Sequence, residues 1–448
     1  MTWANFGGDG GELITAAVTL GVPHPPGYPT YVLIGKLFSL LPVGTVAYRF
    51  NLLSGVSTAV AAGFVTAIVY QITNHPLPAT KNFIPAIATG LTFAFTSLVW
   101  SQAIIAEVYA LNLAFVAAFL YFLLTSTVGA GLKPASNEPA VRSTVLIGLL
   151  LGLSLTTHLT SIIFLPLALF LIPWRRWGWF IGGFLVGLLP FLALPFLAQS
   201  DSPVIWGQPD TLSGWWWLVS ARLYRPNLFR LPVSDWIGRF KQWSQLLLLP
   251  FVIIVLPLLG LGVFSNLKAR FRLIAGLAAT VLMYAAYAFT YNTFDAAVLI
   301  LPALLLLSVL LGFGLQHLGK SAIILPIVLL WLNLVQPEHG YYVNQPTPIR
   351  PVAEELLDDT PSEAILITSG DPTLTALWYF HHVEGKRPDI LIIDGNLFQF
   401  RWYREKLGRD YPFLQHLAQD DLPGFIELNR QSQPVCETSL VPPGYLRC

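Results

Sequence analysis

Residues 296–316 read AAVLILPALLLLSVLLGFGLQ, a run without a single charge. A helix crossing about 30 Å of hydrocarbon needs about 20 predominantly apolar residues, so this stretch is long enough to span a membrane. Comparable runs lie at 47–71, 83–102, 103–127, 177–198, 246–264, 271–290 and 321–336. Residues 144–172 read either as one tilted span or as two short helices meeting around Thr156, Thr157 and His158. Across all 448 residues, 54% are hydrophobic and 11% charged, and the mean hydropathy is +0.62. Soluble chains carry about 25% charged residues, so this one cannot coat a water-facing surface of its own size. The expected fold is an all-α polytopic membrane bundle. A net charge of +1 gives no electrostatic case for nucleic acid, and two cysteines cannot make a disulfide scaffold.

The charges are unevenly placed. Residues 1–336 hold 8 of the 24 acids and residues 337–448 the other 16. Three parts are therefore expected: an outer loop with interfacial helices at 1–46, a transmembrane bundle at 47–336 with a long outer loop at 199–245, and a soluble domain at 337–448. In the last, Ala364–Thr368 and Asp389–Ile393 are apolar runs of strand length, each ending in a polar turn, and helix-like segments lie between. This pattern predicts a small α/β domain. Asp371 and Asp394 fall at the predicted carboxyl ends of strands, where such sheets place ligands; helix capping is the plainer reading of both.

Lysine and arginine collect in short cytoplasmic loops. If 144–172 is a helix pair, loops 72–82, 128–143, 173–176, 265–270 and 317–320 share one side, with Lys81, Lys133, Arg142, Arg175, Arg176, Lys268, Arg270 and Lys320. That reading gives about ten spans and an extracytoplasmic C-terminal domain. It also puts Asp9, Glu12, Glu107, Asp201, Asp210, Asp235 and Asp295 at the outer face, leaving only Glu138 inside, which points to a polar, acid-lined outer site. Cys436 and Cys448 then lie on the oxidising side, where a disulfide is allowed, though spacing does not show one. No signal peptide opens the chain, and a first transmembrane helix is expected upstream of Met1.

Residues 9–31 read DGGELITAAVTLGVPHPPGYPTY. Asp9 is placed to cap a short helix at 12–20, and Asp9 and Glu12 share a helical face. Four prolines lock an irregular segment around His24 and Tyr28. Two readings stand: a capped helix followed by a proline-rich interfacial turn, or a preorganised carboxylate acting as general base with His24 as a nearby hydrogen-bond donor.

HPPGYP at 24–29 occurs with YRFNLLS at 48–54, WSQAIIAEVYALN at 100–112, GLSLTTHLT at 152–160, WGQP at 206–209 and WYFHHVEGKRPD at 378–389. Together these resemble a family of bacterial and eukaryotic multi-spanning proteins long catalogued as a domain of unknown function, similar to protein O-mannosyltransferases of the GT-C glycosyltransferase superfamily. The resemblance covers most of the chain. It implies a GT-C fold whose first outer loop carries the catalytic acid, a polyprenyl-phosphate-linked sugar as donor, an inverting transfer, and a protein, lipid or glycan acceptor arriving from outside. The implied location is a plasma membrane, bacterial here, with the site facing out. Asp9 matches the family's first-loop acid, with Glu12 beside it. Family members carry a transmembrane helix before that loop, and this sequence departs from that pattern at its start.

Further candidates for substrate binding are Glu107, an ionisable residue at membrane depth, with Tyr109 and Asn112 nearby. His158 sits at the turn of the helix pair. In the outer loop are Trp206, Tyr224 and Arg222, whose guanidinium suits a donor phosphate or, equally, lipid headgroups. Asp295 at an outer turn is a candidate of the same kind. Trp215, Trp216 and Trp217 read as interfacial anchors. No metal or nucleotide motif occurs; Asp9 with Glu12 or Glu107 could hold a divalent ion, but nothing demands it. The alternatives to a transferase are a transporter or flippase, which would more often show acids or broken helices at mid-membrane and two related halves, and a non-catalytic binder of lipid-linked glycans.

Overall fold

The computed structural model describes residues 8–73, 83–126, 137–247, 252–293, 295–335, 349–440 and 445–448. Most of the expected inner loops 72–82 and 128–143, with Lys81 and Lys133, lies outside these residues, as does the side chain of Glu138. A short helix α1 (Gly10–Thr19) and a second, α2 (Pro29–Ser39), precede the first long apolar helix, α3 (Val46–Thr73). By length and composition five described helices can cross a membrane, six with one bent pair.

Three expectations change in detail. Residues 83–102 are not one rod: α4 (Phe83–Phe95) and α5 (Ser97–Ala103) meet at a 69° bend, where Thr96 is extended. The next helix, α6 (Val108–Leu124), starts five residues later than the expected span at 103–127, and Glu107 stands at its amino end. Residues 265–270 are no loop: helix runs from Val252 to Thr290, broken only by the non-helical backbone of Arg270. Apolar helix formers on both sides of that residue let the helix run on past the basic cluster. The ambiguous stretch 144–172 is broken, as the pair reading requires. α7 (Asn137–Thr157) ends, His158 takes an extended backbone, and a 3₁₀ turn Leu159–Phe164 leads into Leu165–Leu171.

Small residues bring the helices together. Between α7 and the helix Trp177–Gly187, a Cβ on Gly148 would lie 2.0 Å from the Phe180 carbonyl oxygen, and one on Gly183 2.0 Å from that of Val145. Gly152 and Gly187 repeat the contact four residues on, at 2.3 Å from Phe184 O and Leu149 O. Small residues at this spacing let two backbones touch, which is what packing in lipid depends on.

The C-terminal α/β domain is present, with more strands than expected. β1 (Ile365–Thr368) is central and pairs in parallel with β2 (Leu391–Asp394) and β3 (Val435–Ser439); β4 (Tyr445–Arg447) runs antiparallel to β3. Cys436 and Cys448 form a disulfide, tying β3 to the residue after β4. The domain does not have a core of its own. One buried cluster runs from Leu13 and Ile14 of α1 through Tyr31 and Phe50 to Leu374, Trp378, Phe380 and Phe398.

Candidate functional site

α1 ends where Leu20 turns left-handed and Gly21 N–H returns to the Ala16 carbonyl at 2.7 Å. This is a helix-terminating turn that Pro23 cannot extend back into helix. The prolines then fold residues 22–28 back beneath α1, and His24 meets Glu12. His24 donates its backbone N–H to Glu12 Oε1 at 2.9 Å and its Nδ1 lies 2.6 Å from Oε2. Both oxygens of Glu12, itself 3% exposed, are therefore taken by His24. The other ring nitrogen, Nε2, is 3.1 Å from the Tyr28 hydroxyl and 3.7 Å from Asp9 Oδ2.

Asp9 precedes α1, but its side chain makes no capping hydrogen bond. The carboxylate is instead left beside His24 with 45% of the side chain accessible. Desolvation by the surrounding protein raises its pKa, His24 opposes this and Glu12 adds to it, leaving it at about 6. For His24, burial alone would lower the pKa, yet Glu12 and Asp9 outweigh it and hold the imidazole at about 10. At neutral pH the group is a buried imidazolium flanked by two carboxylates. Desolvation likewise keeps the Tyr28 and Tyr224 hydroxyls protonated.

The loop at 199–245 closes one side. Val22 and Ile205 form a parallel bridge, with Val22 N–H donating to Val204 O at 2.7 Å and Trp206 N–H to Val22 O at 3.1 Å. This carries the rings of Trp206 and Tyr224 to 6.2 Å from His24. On the membrane side His158 accepts from Thr160 in the helix break, with Tyr109 at 5.2 Å and Tyr28 at 6.5 Å between ring centroids. Gly10 packs on the Ala106 carbonyl, so Glu107 is next to α1.

Asn112 lines a small cavity together with Tyr109 and His158, while Arg222 and Asp295 stand apart from this cluster. Asn112 is 3% exposed and donates to Ser154 O, Thr157 Oγ1 and Ser161 Oγ at 2.8–3.0 Å, which makes it a staple of the helix break. Arg222 is exposed at the start of a 3₁₀ turn and forms no ion pair among the described residues. Asp295 is exposed ahead of another 3₁₀ turn without capping it, and its charge acts on Asp9 from a distance.

The C-terminal domain supplies a side of the site that sequence reading missed. Thr375 donates its hydroxyl to Gly8 O at 2.6 Å, and a Cβ on Gly11 would lie 2.0 Å from Thr375 O. Only glycine permits that approach. Asp371, weighed above as a cap, is the first residue of the helix Asp371–Trp378, after Gly370, and its charge acts on Asp9. Asp394 does serve its turn, accepting from Asn396 N–H at 2.7 Å. The only available signal for Asp371 was its place at a strand's carboxyl end.

Asp9, Glu12 and His24 each offer a ligand atom within 4.8 Å of the others. Metal–oxygen and metal–nitrogen bonds are each about 2.0–2.2 Å, so an ion held by both partners of the 2.6 Å His24–Glu12 pair would have to part them.

Comparison with known proteins agrees with the motif reading. Residues 9–179 match the family model described as the protein O-mannosyl-transferase TMEM260 N-terminal domain, and residues 349–412 that described as TMEM260-associated domain 2. The chain is 29% identical to the mouse (Mus musculus) protein O-mannosyl-transferase TMEM260 over 91% of its length and 62% of the relative's. It is 24% identical to tmem260 of Dictyostelium discoideum over 89% of its length and 55% of that protein's. The chain thus spans somewhat over half the length of these curated relatives. ArnT from Cupriavidus metallidurans in the apo state superposes with a TM-score of 0.51 at 13% identity, covering 88% of this chain and 85% of that one. The likeness there is one of fold. The resemblance to a protein O-mannosyltransferase-like family is thereby shown.

Proposed function

We propose that the chain is an integral-membrane glycosyltransferase. It moves a sugar, mannose in the reading its relatives favour, from a polyprenyl phosphate to an acceptor hydroxyl at the outer face of a plasma membrane. The observation that carries the reading is Asp9: an uncapped, accessible carboxylate held beside a buried His24–Glu12 pair. In the reaction the acceptor hydroxyl gives its proton to Asp9 as its oxygen bonds to C1 of the sugar. The C1–O bond to phosphate breaks with its electron pair, polyprenyl phosphate departs, and C1 inverts. A positioned base contributes about 10²–10⁴-fold. The phosphate is already a competent leaving group, so the protein needs a cation there and not an acid. His24 supplies one buried positive charge, and Arg222 is the exposed candidate for the donor phosphate.

Glu12 is assigned to holding His24 charged and oriented, since both its oxygens are engaged there. Trp206, Tyr28, Tyr224, Tyr109, His158 and Glu107 are assigned to the walls of the substrate space, and Asp295 to its electrostatics. In the proposed topology about ten spans put the α/β domain outside the cytoplasm. The Cys436–Cys448 disulfide supports that placement, because such bonds persist in oxidising compartments.

The test is mass spectrometry of extracytoplasmic glycoproteins and glycans from cells carrying the wild-type chain or Asp9→Asn. Asparagine keeps the shape but accepts no proton at neutral pH. Loss of one sugar from a defined product, with the protein still in the membrane, is the expected result. An unchanged profile would remove Asp9 as the base.

A further inference from the structure

Tyr28 carries a side chain on a left-handed backbone, φ 41° and ψ 49°. A Cβ makes that region unfavourable, and residues held in it persist where their surroundings over-determine them. Hydrogen bonds fix Tyr28 on either side. Gly27 N–H donates to His24 O at 2.8 Å and closes the turn before it, while Val32 N–H donates to Tyr28 O at 3.0 Å and ties it to α2. A further hold comes from the membrane bundle. The hydroxyls of Thr30 and Thr156 lie 2.6 Å apart, and both residues are buried. Thr156 gives its one hydrogen to Leu153 O at 2.8 Å, so Thr30 is the donor to Thr156. Thr30 comes two residues after Tyr28, and Thr156 two before His158, whose ring stacks with that of Tyr28 at 6.5 Å between centroids. The helix break in 144–172 therefore grips the proline-rich turn at two points.

What this grip fixes is an acceptor. The His24 imidazolium has two N–H groups to place. Nδ1–H goes to Glu12 at 2.6 Å. Nε2–H has two oxygens near it, the Tyr28 hydroxyl at 3.1 Å and Asp9 Oδ2 at 3.7 Å. Ordinary N–H···O bonds end at about 3.2 Å, so the proton goes to Tyr28. Trp206, seated against Trp402 at 5.9 Å between ring centroids, has only a donor to offer. Among the described residues no hydrogen bond ends on the Asp9 carboxylate, whose oxygens stay free to take a proton. The charges acting on Asp9 are His24 and Glu12, Asp371 of the α/β domain, Asp295, and Glu107 at the amino end of α6. His24 is the one that could bond it, and Tyr28 stands in the way.

We infer that Thr156 is a positioning residue for the transfer: through Thr30 it holds the Tyr28 hydroxyl as the acceptor of His24 Nε2–H, which keeps that proton off Asp9 and leaves Asp9 free as the base. This rests on the transferase reading for its meaning, and the test separates the two. The full chain in lipid nanodiscs is compared as wild type, Tyr28→Phe, Thr156→Val, Thr156→Ser and the double variant Tyr28→Phe/Thr156→Val. Transfer from polyprenyl-phosphate mannose to a serine peptide gives kcat. Without donor, infrared difference titration gives the protonation midpoint of Asp9, its band assigned by loss in Asp9→Asn. A hydrogen bond donated to a carboxylate favours the ionised form. Tyr28→Phe should therefore lower the midpoint by about one pH unit and kcat by about tenfold, the scale of one hydrogen bond to a charged group. Thr156→Val should move both the same way, with kcat down about fivefold, and Thr156→Ser, which keeps the hydroxyl, should restore both. Residues acting through one contact are not additive, so the double variant should stay at the Tyr28→Phe rate. A midpoint that neither Tyr28→Phe nor Thr156→Val moves, or losses that multiply to about fiftyfold in the double variant, overturns the inference. Shifted midpoints in a chain that transfers no sugar would overturn the transferase reading alone; transfer with a fixed midpoint would overturn this inference alone.

Discussion

Among the seams that bring backbones into contact through glycine, two differ in kind. In the first, α7 and the helix Trp177–Gly187 touch through Gly148, Gly152, Gly183 and Gly187. In the second, α1 touches the helix Asp371–Trp378 through Gly11 and Thr375. The membrane seam is made by neighbours in sequence, repeats every four residues and carries no charge. The other joins residues more than 360 positions apart, has one contact of each kind, and lies beside the carboxylates. Repetition makes the first a matter of stability. The second sets position: it decides where a domain stands relative to the Asp9 loop.

The largest effect is expected for Gly148→Leu. The new side chain would have to enter the space of the Phe180 carbonyl, costing at least the ~3 kcal/mol at the upper end of overpacking. The expected outcome is loss of the monodisperse peak in detergent size-exclusion chromatography. Gly11→Val meets an equally close carbonyl, yet should spare the transmembrane bundle and push the α/β domain off α1. A displacement of about 1 Å near a reacting centre costs about 10²-fold, so transfer should fall by that much while the protein still elutes as one peak. If both variants failed to fold, the seams would not differ in kind.

A gentler probe acts on the charges behind the second seam. Transfer should rise as pH passes about 6, where Asp9 loses its proton, and decline near 10, where His24 loses its own. Glu12 raises both values, so Glu12→Gln should move both limbs of the pH–rate profile to lower pH. A profile whose limbs stay put would separate these groups from the reaction. The smallest effect is expected for Thr375→Val, which removes one hydrogen bond to Gly8. A bond of that kind is worth about 1 kcal/mol, visible as a small loss of thermal stability with transfer reduced only slightly.

Legibility in the sequence follows the same division. Apolar runs and charge placement were enough for the membrane bundle, and short apolar runs ending in polar turns were enough for β1 and β2. His158 as the break in 144–172 could be foreseen because polar residues interrupt an apolar run there. The bend at Thr96 and the helix through residues 265–270 were not visible, because local composition on both sides favours continued helix. At the site, Asp9, Glu12, His24 and Tyr28 fall within one short motif and were readable together. Trp206 and Tyr224 needed the loop motif as well. Asp371, Thr375 and Trp402 depend on contacts that no periodicity encodes, as do the three buried partners of Asn112, which lie 42 to 49 residues away.

The buried cluster that runs from Leu13 through Phe50 to Phe398 has a consequence for how such chains diverge. A lineage exchanging its α/β domain for another would inherit half a core, with the apolar faces of α1 and α3 left uncovered. The heritable unit is therefore discontinuous, about residues 9–53 with 349–440. Substitutions that alter acceptor choice in one part should be accompanied by changes in the other.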